Sequence, residues 1–148
     1  MAARYTTGPK WGAAGERAQL LAETLDAAAS ALIDLADEDA AAFAAMQAAR
    51  KEKVAEAIAV AEQRAAAVPA SLIEICGRHA EALRVFLSVS NPHLVSDVKV
   101  GIHLLAGAGR AAWQTLLINQ PPVELQTAAQ AHLETLDRCE RAALGGLG

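Results

Sequence analysis

Between Ser90 and Asn119 the chain reads SNPHLVSDVKVGIHLLAGAGRAAWQTLLIN, one long helix with a polar entrance. Asn91 suits the cap, Pro92 the first helical position, and Ser96 and Asp97 the opening turns. Beyond Asp97 the stretch is almost continuously apolar. Lys99, His103, Arg110 and Gln114 recur at helical spacing and gather into one narrow stripe, so most of the circumference is expected to touch protein rather than water. The stretch is therefore predicted to be a central helix. At roughly 100° per residue, Asp97 stands about 200° from Lys99, away from the stripe, and its carboxylate is expected to point inward.

A chain of 148 residues suffices for one domain with a substantial core and is short for two. We expect a single domain over residues 1–148, with 1–15 a loop. The composition is 53% hydrophobic but only 3% aromatic, so the core must be built from Ala, Leu, Val and Ile. Alanine is the strongest helix former and lets helices lie close together. The expected fold is all-α, a bundle of about four to five helices around the central apolar helix, paired as a homodimer. A net charge of -4 provides no basic face for nucleic acid, and none is expected as a partner. Cys76 and Cys139 lack paired metal spacing and read as reduced core residues of a cytoplasmic protein, a disulfide being the lesser alternative. No uncharged apolar run reaches the roughly 20 residues that cross a bilayer, and no membrane association is expected.

Along the chain, Thr6, Thr7, Gly8, Pro9, Gly12 and Gly15 are turn residues. From about Glu16, the steps Leu21, Leu25, Ala28, Leu32, Ala36, Phe43 and Met46 have the spacing of an amphipathic helix. Either one helix runs to Val68 or two meet near Asp37, Glu38 and Asp39, and a break there is the favoured expectation. Asp39 falls on the apolar stripe, where an ionised carboxylate needs a partner, a raised pKa or a water-filled cavity. The competing reading makes it the cap of a second helix. Pro69 is expected to open the next helix, running to about Val89, with Gly77 inside it and His79 at its surface or rim. Pro121 and Pro122 stop the central helix. A last helix should span Val123 to Leu144 and end in the tail Gly145, Gly146, Leu147, Gly148.

The chain has no phosphate loop, dinucleotide fingerprint, HExxH, paired-cysteine zinc pattern or nucleophile elbow. His93, His103 and His132 are scattered, and no metal site is expected. The groups left for chemistry are two carboxylates expected to face inward, Asp39 and Asp97, and polar side chains at the ends of the central helix.

Four segments carry a resemblance: YTTGPKW at Tyr5 to Trp11, LADEDAAAF at Leu35 to Phe43, VPASLIEIC at Val68 to Cys76, and SNPHLVSDVKVG through LLIN at Asn119. In this order they resemble the formiminotransferase-cyclodeaminase carboxy-terminal family, which includes stand-alone methenyltetrahydrofolate cyclohydrolases. The resemblance implies a helical, dimerising subunit that acts on the one-carbon group of a reduced folate. Formimino-tetrahydrofolate would close to the methenyl form with loss of ammonia, or the methenyl ring would open by addition of water. Both pass through an amidinium-like cation that a carboxylate can stabilise. By motif match, Asp39 and Asp97 are the implied catalytic residues, and Lys10, Asn91, Ser96 and Asn119 the implied substrate-binding ones. No prosthetic group is implied, the tetrahydrofolate derivative being substrate. The family pattern also has a P-G-G-G-S loop and a first helix before the T-x-G segment at which this chain opens. Met1 is accordingly expected to be either an internal methionine of a longer frame or the start of a shortened homologue. The family's basic L-P-K is replaced around Arg50 to Lys53, and its first Asn of N-V-x-I-N is Thr115 here. The alternative function is a non-catalytic or repurposed helical dimer that binds another small molecule or a protein partner.

Overall fold

The structure, a computed structural model, describes residues 1–145. The tail expected at Gly146, Leu147 and Gly148 lies outside the described residues. The fold is an all-α bundle of four helices: α1 (Ala13–Glu52), α2 (Ala55–Phe86), α3 (Val95–Ile118) and α4 (Val123–Leu144). Two short 3-10 turns, Ala2–Tyr5 and Pro9–Trp11, precede α1, and a third, Pro92–Leu94, leads into α3. Among the described residues there is no strand.

The long hairpin of α1 and α2 dominates the shape. Helix α1 has 40 residues, about 60 Å at roughly 1.5 Å per residue. It runs straight through Asp37, Glu38 and Asp39, where a break was expected. Three acidic side chains do not end a helix when the residues around them are alanines, the best helix formers. The reversal comes instead at Lys53 and Val54, with neither Gly nor Pro. Lys53 takes a left-handed conformation (φ 58°) and its N–H donates to the Ala49 carbonyl, while Val54 is extended. The second correction is Pro69, which lies inside α2 rather than opening a helix.

Helix α2 touches each of the other three, and α3 packs on α2 and α4. The main apolar cluster joins Ala18 of α1, Cys76, Ala80 and Phe86 of α2, Val98 and Ile102 of α3, and Leu136 of α4. A second, built from Ala66, Ile73, Ala112, Leu116 and Ala129, lies between α2, α3 and α4. The far end of the hairpin has its own cluster of Ala42, Met46, Ala49, Ala61, Ala65 and Val68, with no contribution from α3 or α4. Two glycines permit close helix packing. A Cβ on Gly77 would stand 3.1 Å from that of His132, and one on Gly109 would run into the Leu136 side chain.

Helix α3 is apolar along its length, as expected. One face buries Val98, Ile102, Ala106, Ala112 and Leu116. Its opposite face is open in the single chain, with Val100, Leu104 and Ile118 exposed by 55%, 69% and 79%.

Candidate functional site

The six residues singled out in the sequence fall into two groups, one at each end of α3. Asn91, Ser96 and Asp97 stand at its start and Asn119 at its end, about 33 Å away along the axis at roughly 1.5 Å per residue. Asp39 belongs to the second group and Lys10 to the first.

At the start of α3, Asn91 ties two segments together. Its backbone N–H donates to Thr6 Oγ1 (3.1 Å) and its Nδ2 to the Tyr5 carbonyl (3.5 Å), while its Oδ1 accepts from the His93 N–H (3.1 Å). The last bond is the capping role read from the sequence, though the first turn it caps is 3-10. Thr6 is fully buried and donates to the Ala2 carbonyl, so the amino-terminal segment is fixed against the helix entrance. Lys10 is exposed, with Nζ 5.3 Å from the centre of the Trp11 ring. Ser96 and Asp97 are exposed. The Asp97 carboxylate therefore does not point into the core of its own chain, but lies on the open apolar face of α3.

At the other end, Asp39 borders a depression of about 240 Å³ walled by Leu32 and Leu35 of α1, Val68, Pro69 and Leu72 of α2, and Ala112 and Thr115 of α3. Asp39 itself is exposed. The apolar stripe of α1 on which it lies faces this depression instead of a closed core. A larger depression of about 560 Å³ adjoins the end of α3, where Asn119 and Gln120 meet Met46, Arg50, Glu62 and Gln63. Arg50 pairs with Glu62 at 3.0 Å.

Asn119 stands where these parts meet. Pro69 has no N–H, so the carbonyl four residues back, on Ala65, cannot receive its helical bond. The Nδ2 of Asn119 donates to that carbonyl at 2.8 Å. Its Oδ1 has no protein partner among the described residues. Thr115 and Arg50 emerge as neighbours that spacing did not single out: both stood out only as departures from the family pattern.

Two ionic networks lie apart from both groups. Glu140 of α4 accepts from Arg110 and from His103 Nδ1 (2.9 Å), and Arg110 also binds Asp137. Arg110, and after it His103, hold the Glu140 carboxyl down at about 2. Glu81, bound by Arg84 through both oxygens, is likewise held at about 2. It accepts from Cys139 Sγ at 3.3 Å, and burial followed by this bond raises the thiol to about 11. Burial also raises Cys76. His79, expected at the surface, is instead buried, and its Nδ1 has no hydrogen-bond partner among the described residues. Arg78 and Glu81 beside it in sequence suggested a rim, whereas its phase places it on the stripe of Leu72 and Phe86. Among the described residues no three His, Cys, Asp or Glu side chains are placed to share a metal ion.

A bundle of this form with motif residues at both ends of one helix has known counterparts. Residues 1–138 match the model of the formiminotransferase-cyclodeaminase family, and the chain belongs to that family. In fold it is similar to the crystal structure of formiminotetrahydrofolate cyclodeaminase from Thermotoga maritima, with a TM-score of 0.86 at 23% identity over 97% of this chain and 76% of that one. No curated protein matches the chain.

Proposed function

We propose that the protein is a folate one-carbon enzyme of cyclodeaminase or cyclohydrolase type, acting in the cytoplasm on formimino- or methenyl-tetrahydrofolate. The observation that carries this reading is Asp39, a carboxylate in the family's D-x-x-A-F motif, at the border of an apolar depression that Ala112 and Thr115 of α3 also line. In cyclodeamination the folate N10 attacks the formimino carbon. Its proton is lost, the formimino nitrogen is protonated and leaves as ammonia, and the carbon becomes the methenyl cation. Asp39 has the charge to oppose that cation and the basicity to take the N10 proton. In the cyclohydrolase direction the same carboxylate accepts a proton from the water that adds to the methenyl carbon, and one carbon–nitrogen bond then breaks. Asn119 offers its Oδ1 to a donor on the pterin, and Asp97 is the second carboxylate of the reaction. Lys10, Asn91 and Ser96 supply polar contacts to the pterin or its tail.

The test pairs binding with turnover. Folinic acid at a hundred times its Kd should stabilise the folded protein by about 2.7 kcal/mol, seen as a higher Tm. Formimino-tetrahydrofolate should release ammonia, or methenyl-tetrahydrofolate lose its absorbance, and Asp39→Asn should suppress both turnovers by at least about a hundredfold. No Tm shift at millimolar folate together with no turnover of either substrate would remove the proposal.

A further inference from the structure

Pro69 stands inside α2, where proline is the least favourable residue, on the turn of that helix that reaches both depressions. Ala66 lines the larger depression, and Val68 and Pro69 line the smaller one with Asp39 and Thr115. The Ala65 carbonyl, which the proline leaves without its helical donor, is taken by Asn119, a residue of the larger depression. Helix α3 ends at Ile118, and Gln120 turns the chain through the left-handed region (φ 50°), so the Asn119 side chain stays half-buried at the rim. Its one hydrogen bond among the described residues is the one to Ala65. That bond settles which way the amide faces. A side-chain amide donates through its nitrogen and accepts through its oxygen, and a half-turn about its last bond exchanges the two. A carbonyl accepts from Nδ2 and repels Oδ1, so Oδ1 is turned away from Ala65.

We propose that Pro69 is a positioning residue for the ligand site: by freeing the Ala65 carbonyl it holds the Asn119 amide in the orientation that offers an acceptor, Oδ1, to the ligand. The inference rests on the folate reading for the ligand, though not for the orientation of the amide. With any other residue at this position the backbone N–H would donate to Ala65 within α2. The proline ring removes that donor and crowds the carbonyl four residues back, which favours a donor from outside the helix. An amide so fixed selects ligand edges that donate, such as the amino and ring N–H groups of a reduced pterin, over edges that only accept. Released from Ala65, the same amide could turn either atom to the ligand, and the preference would be lost.

The test compares wild type, Pro69→Ala, Asn119→Ala and the double variant, all as full chains. The Nδ2 protons of Asn119, assigned by NMR through their loss in Asn119→Ala, should exchange with water at least about tenfold faster in Pro69→Ala, because the bond that protects them has a backbone competitor. The Kd for folinic acid and the KM for the folate that is turned over should rise by about three- to tenfold in Pro69→Ala, the worth of one neutral hydrogen bond. The kcat should stay within about twofold, as for a contact made equally in ground and transition states. Tm should be unchanged or higher, since a proline has left a helix interior. Weaker binding by a protein that is no less stable is an outcome that a merely structural proline would not give. In the Asn119→Ala background, Pro69→Ala should alter neither Kd nor KM, because its effect passes through the amide. Unchanged Nδ2 exchange in Pro69→Ala overturns the fixing of the amide. Faster exchange with unchanged Kd and KM overturns its link to the ligand. An equal rise in Kd with and without Asn119 assigns the effect to the wall of the Asp39 depression and overturns the positioning role. A wild-type chain that neither binds nor turns over a folate overturns the folate reading, and the exchange rates still decide the orientation of the amide.

Discussion

The side-chain amide of Asn119 replaces the backbone N–H that Pro69 lacks, donating at 2.8 Å to the Ala65 carbonyl from another helix. A proline within a helix costs roughly 3 kcal/mol through the lost bond and the clash with the carbonyl four residues back. Here the lost bond is supplied from α3, and α2 continues without interruption. Asn119→Ala should therefore cost about 1–3 kcal/mol in urea unfolding, the penalty of an unsatisfied carbonyl. Pro69→Ala restores the N–H, so the same Asn119 substitution should cost clearly less in that background. Equal costs in both backgrounds would show that the two residues are independent.

Gly109 faces the side chain of Leu136, which is fully buried and has nowhere to go. Gly109→Ala gains up to about 1 kcal/mol of helix propensity. Overpacking at about 1–3 kcal/mol outweighs that gain, so a net loss is expected in the unfolding midpoint. Leu136→Ala in the same chain should relieve the clash, and the pair should be strongly non-additive.

Acid should act in two stages. Burial, followed by the charge of Arg78, lowers the pKa of His79 below its ordinary 6.5. The unfolded chain thus takes up a proton that the folded one resists, and stability present above pH 6.5 declines as the pH falls below it. His79→Leu should flatten that decline. Glu140 and Glu81, both held at about 2 against an ordinary 4.5, add a second loss as the pH drops from 4.5 towards 2. Glu140→Gln should lower stability at neutral pH and reduce the slope only in this lower window. Stability followed by circular dichroism from pH 8 to 2 checks both.

Neither cysteine should react in the folded state. Both are buried, and both thiols are raised above their ordinary range, Cys139 to about 11. The thiolate is the reactive form. Iodoacetamide at pH 7.5 should leave the native protein unmodified over the time in which the urea-unfolded chain takes up two labels.

Much of this architecture is legible in the residues. The Val123–Leu144 helix follows from two prolines before it and a glycine after it, and α3 from its capped entrance and apolar run. The motifs point to the correct family without any knowledge of packing. Pro69 escapes a local reading because its tolerance depends on Asn119, distant in sequence, and no local rule contains that bond. The turn at Lys53 uses an unfavoured backbone conformation that no residue type announces. Asp39 and Asp97 show a further limit. Periodicity marks which face of a helix is apolar, but not whether the same chain covers it.

The far end of the α1–α2 hairpin has its own small cluster, four of whose six buried members are alanines. Little apolar area per residue is removed from water there, so this arm should open by itself well below the free energy of global unfolding. Amide hydrogens between Ala42 and Ala61 should then exchange with solvent deuterium ahead of those in the main body. The opening has a natural limit at Ala65, where the bond from Asn119 begins to hold α2 to α3. Fast and slow exchange should meet within a turn of that carbonyl.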